Sequence, residues 1–261
     1  MLIFPRLVAR KFYYNLNNPI IKKTKDEKSK VFANASKEII KFNKLNIQTY
    51  YWPGEKKEIL LVHGWEGRAN NFEKIIERLI DEKFSVRAFD APSHGSSEKS
   101  NKTMNDFGNF VQYLLKTSKY DFAITHSFGA VPCSFTLSEY DIKLKKIIFI
   151  APPDHFIDWI NDVASLIGIN KRVINIAIEK FVYEYGMNPY NMSVSKWMQN
   201  SSDIDGLIIH GKNDKITPLE RAKNVHKKWK NSQLKVINDI GHFKILNSHK
   251  TINTILRYLK D

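Results

Sequence analysis

Apolar and polar positions along this chain follow two periods in turn. Short runs rich in β-branched and aromatic residues read as strands at 45–52, 58–62, 84–89, 121–125, 146–150, 206–210 and 233–238. Between them lie stretches in which apolar residues return every three or four positions, at 69–82, 103–116, 127–140, 219–229 and 245–259. Phe72, Ile75, Ile76, Leu79 and Ile80 fall on one helical face, as do Phe107, Phe110, Val111 and Leu114. Pro53-Gly54 turns the chain after the first strand, and Pro152-Pro153 halts another.

Strand alternating with helix predicts an α/β fold, a doubly wound and mostly parallel sheet with helices on both faces. No helix separates the first two strands, which predicts an antiparallel start. The rhythm breaks from 154 to 203, where only helical periodicity is visible, at 156–169 and 173–185. Helices inserted between two core strands predict a cap over 154–203, with 45–153 and 204–261 forming the core. Residues 1–44 are expected to form an N-terminal extension of two helices outside the sheet, packed through Phe12, Tyr13, Tyr14, Val31, Phe32, Ile39 and Ile40.

Composition adds constraints. Hydrophobic residues make up 43% of the 261, enough for a large core and too many for a disordered chain. A single cysteine, Cys133, excludes a disulfide framework and a multi-cysteine metal site, and is expected to be a buried small hydrophobe. No apolar run approaches the roughly 20 residues that span a bilayer. At the N-terminus the apolar residues precede Arg10 and Lys11, the reverse of a secretory signal, so a cytoplasmic location is expected. The formal charge is +14, from 41 Lys and Arg against 27 Asp and Glu. Most of the excess is lysine spread along the chain, densest at Lys22, Lys23, Lys25, Lys28 and Lys30. It reads as a solvated surface. Without a nucleic-acid motif, nucleic acid is not an expected partner, whereas peripheral contact with an anionic membrane stays open.

The chemistry gathers where strands end. Thr125-His126-Ser127-Phe128-Gly129 follows one strand and opens a helix, a turn that would project Ser127 outward. Thr125 stands where glycine is usual in G-x-S-x-G. Leu60-Leu61-Val62-His63-Gly64-Trp65 runs from a strand into a glycine turn, so the Trp65 N–H, with that of Phe128, is placed to stabilise an oxyanion. Asp214 follows the strand at 206–210, and His242 follows the last strand. Ser127, Asp214 and His242 therefore come in the Ser…Asp…His order of an α/β-hydrolase triad. Asp154 and Asp158 are rivals for the acid. Asp90 and His94, in the loop Asp90-Ala91-Pro92-Ser93-His94-Gly95, read as a structural turn. His63 is expected to shape the oxyanion loop and His126 to pack beside the sheet. His155, His210, His226 and His249 lack metal-ligand spacing.

On these residues, from about 45 to 259, the chain resembles the α/β-hydrolase fold superfamily. Val62-His63-Gly64-Trp65-Glu66-Gly67-Arg68 and Phe89-Asp90-Ala91-Pro92 resemble its small bacterial esterase-like serine hydrolases. The resemblance implies no metal and no organic cofactor. The expected activity is cleavage of a small-molecule ester or thioester through an acyl-enzyme on Ser127, with Trp65, Phe156, Trp159 and Phe243 lining the substrate pocket. Two alternatives remain: a C–C hydrolase, acyltransferase or lyase using the same triad, and a non-enzymatic membrane- or nucleic-acid-associated protein with a relic site. Oligomeric state is left open.

Overall fold

A computed structural model describes residues 5–20, 29–201 and 203–260. Lys22, Lys23, Lys25 and Lys28 of the densest basic cluster lie outside the described residues. Eight strands form one sheet: β1 (Ser36–Phe42), β2 (Leu45–Trp52), β3 (Glu58–Val62), β4 (Ser85–Phe89), β5 (Phe122–His126), β6 (Lys146–Ile150), β7 (Asp205–Gly211) and β8 (Ser232–Ile237). Their spatial order is β1-β2-β4-β3-β5-β6-β7-β8. The pairs β1–β2 and β2–β4 are antiparallel, and all later pairs are parallel.

The central parallel strands β3, β5 and β6 read as largely apolar runs because helices cover both of their faces. Successive side chains serve opposite cores. Leu60, Val62, Ile147 and Phe149 point to one face, with α4 (Thr103–Thr117), α5 (Ala130–Glu139) and α9 (Leu219–Lys228). Ile59, Leu61, Ile148 and Ile150 point to the other, with α3 (Glu73–Asp81) and α10 (His249–Lys260). The helical stretches at 69–82 and 245–259 each begin as a separate 3-10 turn before α3 and α10.

The N-terminal segment departs from expectation. α1 (Pro5–Asn17) is a full helix, but α2 (Lys30–Ala33) is one turn. Ile39 and Ile40 are not helical; they lie in β1, which pairs with β2 along its whole length. Asn43 and Lys44 both take positive φ, 47° and 67°, as a two-residue hairpin turn requires. The strand escapes periodicity because it is a mostly polar edge, and only Ile40 and Phe42 pack against the core. Ile39 and Tyr14, expected as packing residues, are exposed. Phe32 fulfils that role, its ring edge-on to Tyr50 and Trp52 at 5.0 and 5.1 Å.

Between β6 and β7 lie α6 (Phe156–Leu166), α7 (Lys171–Tyr185) and α8 (Val194–Asn200). α7 packs against α1, whereas α8 packs against α5 and α9, so residues 194–200 belong to the helical layer of the core. Asp154 ties the two ends of this interval together. Its Oδ1 accepts the Ser193 hydroxyl at 2.9 Å and the Ser195 N–H at 3.0 Å. Among the described residues no helix is long and apolar enough to cross a membrane.

Candidate active site

Ser127 occupies the turn between β5 and α5 with φ of +51°, a left-handed conformation that costs a non-glycine residue energy and persists only where neighbours enforce it. The neighbours here are the adjoining strand and its loop. A Cβ on Gly129 would stand 2.4 Å from the Val62 carbonyl oxygen, so the helix approaches β3 only because position 129 has no side chain. Thr125 does not prevent the turn. It lies inside β5, in register with Val62 and Phe149, and is fully buried. Its Oγ1 has no hydrogen-bond partner among the described residues.

Asp214 and His242 reach Ser127 from loops after β7 and β8. His242 Nε2 stands 2.9 Å from Ser127 Oγ, and His242 Nδ1 stands 2.7 Å from Asp214 Oδ2. The network assigns the proton to Nδ1, which donates to the carboxylate, and leaves Nε2 to accept from the serine. Asp214 Oδ1 accepts the N–H groups of Ile216 and Thr217 at 2.9 and 2.8 Å. Burial pushes the Asp214 pKa up, but the hydrogen bond and charge of His242 and these two amides outweigh it, holding the pKa below the ordinary carboxylate value.

Two further histidines brace this chain of groups, and sequence reasoning gave them no such role. His126 Nε2 donates to the His242 carbonyl oxygen at 3.0 Å. Burial, and then the neighbouring His242, push its pKa down to about 3, so it stays neutral. His210 Nε2 donates at 2.8 Å to the carbonyl of Thr217, whose N–H holds Asp214. The available signal was position, since both lie at the C-terminal ends of strands that feed the site. The rivals for the acid are engaged elsewhere: Asp154 in its ties to Ser193 and Ser195, Asp158 in an ion pair with Arg221 at 3.8 Å.

The loop after β3 is held as firmly. His63 Nδ1 donates to the Gly64 carbonyl at 2.7 Å, and its Nε2 accepts the Ala91 N–H at 2.9 Å. His94 accepts the Glu66 N–H, and burial pushes its pKa down to about 4. Asp90 accepts from Ala69 N–H, Ser96 N–H and the Tyr50 hydroxyl. These groups fix a backbone whose Gly64 would place a Cβ only 3.0 Å from the Cβ of Ser127. Neither the Trp65 nor the Phe128 N–H donates to a protein acceptor among the described residues. For Phe128 the reason is its place in the first turn of a helix.

A cavity of about 890 Å³ opens over Ser127 and His242. Trp65, Phe156, Trp159 and Phe243 all line it. Four rings form a closed circuit: Trp65 to Phe128 at 5.6 Å, Phe128 to Phe156 at 6.3 Å, Phe156 to Trp159 at 5.4 Å, and Trp159 to Trp65 at 6.5 Å. The circuit joins α6 to the two backbone amides beside the serine. Phe243, 66% exposed, is at the rim. Cys133 is buried in α5, and burial pushes its thiol pKa far up, so it behaves as an apolar group. Among the described residues no cluster of His, Cys, Asp or Glu could hold a metal ion.

Comparison with known proteins gives the same frame. The family described as alpha/beta hydrolase fold matches residues 57–169, and one described as TAP-like protein matches residues 187–261. The uncharacterized hydrolase YugF of Bacillus subtilis is 25% identical over 235 residues, covering 74% of this chain and 85% of its own. An esterase from Pyrococcus furiosus superposes with a TM-score of 0.66 at 18% identity, covering 93% of this chain and 96% of that one. An esterase from Exiguobacterium antarcticum gives 0.63 at 19% identity, covering 85% and 98%. With the strand order, the turn at Ser127 and these matches together, the chain belongs to the α/β-hydrolase fold superfamily.

Proposed function

We propose that the protein is a serine hydrolase that cleaves a carboxylic ester or thioester through an acyl-enzyme on Ser127. The observation that carries this reading is the continuous chain from Ser127 Oγ through His242 to Asp214, at 2.9 and 2.7 Å. His242 Nε2 takes the hydroxyl proton as Oγ attacks the substrate carbonyl. Asp214 holds the ring in the tautomer that leaves Nε2 free and stabilises the imidazolium that forms. The carbonyl oxygen becomes an oxyanion between the Trp65 and Phe128 N–H groups, whose hydrogens are not committed elsewhere. Preorganised donors of this kind are worth about 3–4 kcal/mol each in the transition state. The imidazolium then protonates the leaving alcohol or thiol. Water, deprotonated by the same nitrogen, attacks the acyl-enzyme and restores Ser127.

The aromatic circuit supports an apolar acyl group, which loses its hydration when it enters the cavity. Stopped-flow mixing with p-nitrophenyl esters of increasing length, and with acyl-CoA thioesters, tests the proposal. A nitrophenolate burst stoichiometric with enzyme, followed by slower steady turnover, is expected for at least one chain length. Absence of both burst and turnover across the whole panel contradicts it.

A further inference from the structure

We infer that the outer face of α1, together with the exposed face of α7 beside it, docks on an anionic phospholipid bilayer. The inference does not depend on the ester-hydrolase reading. α1 buries Phe12 and Leu16 against the body of the protein and turns Leu7 and Tyr14 outward, 66% and 62% exposed. These two are seven residues apart, so they lie within about 20° of each other around the helix. Arg6 and Arg10 flank them on one side and Lys11 on the other, and α1 holds no acidic residue. An apolar stripe bordered by cations is the pattern of a helix that lies in a membrane interface, with its apolar residues among the acyl chains and its cations among lipid phosphates.

α7 extends the surface. The two helices run side by side, held by the Tyr185 hydroxyl to Asn17 Oδ1 at 2.6 Å and by the Tyr13 hydroxyl to Glu184. Tyr183, 90% exposed, stands on α7 close to these ties. A recess of about 700 Å³ between the helices has Arg6 and Arg172 in its wall, with Glu179 as its one acid. Arg6, Arg10, Lys11 and Arg172 form no ion pair among the described residues, so their charge is available to lipid phosphates. Exposed leucine and tyrosine favour a bilayer over a nucleic acid, which offers this face no apolar phase. Continuity with the candidate site adds to the argument. Three residues beyond α1, Ile20 lines the cavity over Ser127, and its N–H donates to Glu66 at 3.0 Å. The docking helix therefore ends at the mouth of the site.

The test is co-sedimentation of the full chain with phosphatidylcholine vesicles, with and without phosphatidylglycerol, at low and physiological salt. Binding is expected only to the anionic vesicles. Each cation at a membrane surface contributes about fivefold in partitioning, so Arg6→Glu, Arg10→Glu and Lys11→Glu together should weaken it at least a hundredfold. Leu7→Ala with Tyr14→Ala should weaken it about tenfold at physiological salt. Lys227→Glu, Lys228→Glu and Lys230→Glu, on and just beyond α9, should change it less than about twofold if the face and not total charge is responsible. All the variants change exposed residues, and an unaltered melting temperature checks their folding. Equal losses for the α9 and α1 charge variants overturn the inference. So does equal binding to neutral vesicles, or binding of duplex DNA without binding of anionic vesicles.

Discussion

At the scale of single residues, the site rests on polar groups that burial deprives of solvent. Thr125 is the simplest case. Its hydroxyl is buried without a partner, which costs about 1 kcal/mol or more, and valine has nearly its shape. Thr125→Val should therefore raise stability by about 1 kcal/mol in denaturant unfolding and leave ester turnover unchanged. A loss of stability would reveal a hydrogen bond that the geometry does not contain. The buried histidines make a second, opposite demand. His94 and His126 are held neutral, with pKa values pushed down to about 4 and about 3 against 6.5 when unfolded. Between those limits the unfolded chain binds more protons than the folded one, so stability falls as pH falls. The loss should begin near pH 6.5 and grow by about 1.4 kcal/mol per pH unit for each histidine. Unfolding free energies measured from pH 7 to 4.5 check this, and a flat profile contradicts it. The grouping of Ser127, Asp214 and His242 was legible from residue order, because each follows a strand. The bracing roles of His126 and His210 were not, because a hydrogen bond to a distant carbonyl leaves no periodic trace.

Elements were legible where burial is two-sided. β3 and β6 emerged at their observed bounds because both faces of each are covered and the apolar run is unbroken. β1 did not emerge, because its side chains are mostly polar and exposed and its conformation is owed to pairing with β2. The interval from 154 to 203 read as helix throughout, yet its division between α6 and α7 on one side and α8 on the other depends on packing partners that periodicity does not name. α6 bears most directly on the site. Arg221 on α9 holds it through ion pairs to Asp158 and Asp162, one turn apart on α6. Because the two aspartates are about half exposed, the clamp is worth only about 0.5–1 kcal/mol. Its removal should therefore loosen α6 without unfolding the protein. Arg221→Met should raise KM severalfold for long-chain esters, leave acetate esters nearly unchanged, and alter kcat little. Kinetics across a chain-length series provide the check. Equal changes for short and long esters would mean that α6 does not shape the acyl pocket.

For the whole molecule the dominant quantity is the charge of +14. Its summed field acts on encounter, not on bond breaking, and a Debye length of about 8 Å at physiological salt screens it. Thus kcat/KM for an anionic ester should fall as salt rises, with kcat unchanged and a neutral ester of equal length unaffected. Parallel responses for the two esters would mean that the summed field steers neither. The overall architecture was legible, because alternating strand and helix with chemistry at strand ends leaves few topologies. The convergence that residue order implied has its physical basis in the sheet. The groups at positions 127, 214 and 242 meet only because β5, β7 and β8 end at one edge of the same sheet. That convergence is tested most directly by fluorophosphonate labelling followed by peptide mass spectrometry. One adduct is expected, on Ser127, with none on a folded Ser127→Ala variant and a rate lowered by about 10³-fold or more in Asp214→Asn. Labelling at another residue, or of Ser127→Ala at the wild-type rate, would contradict the account.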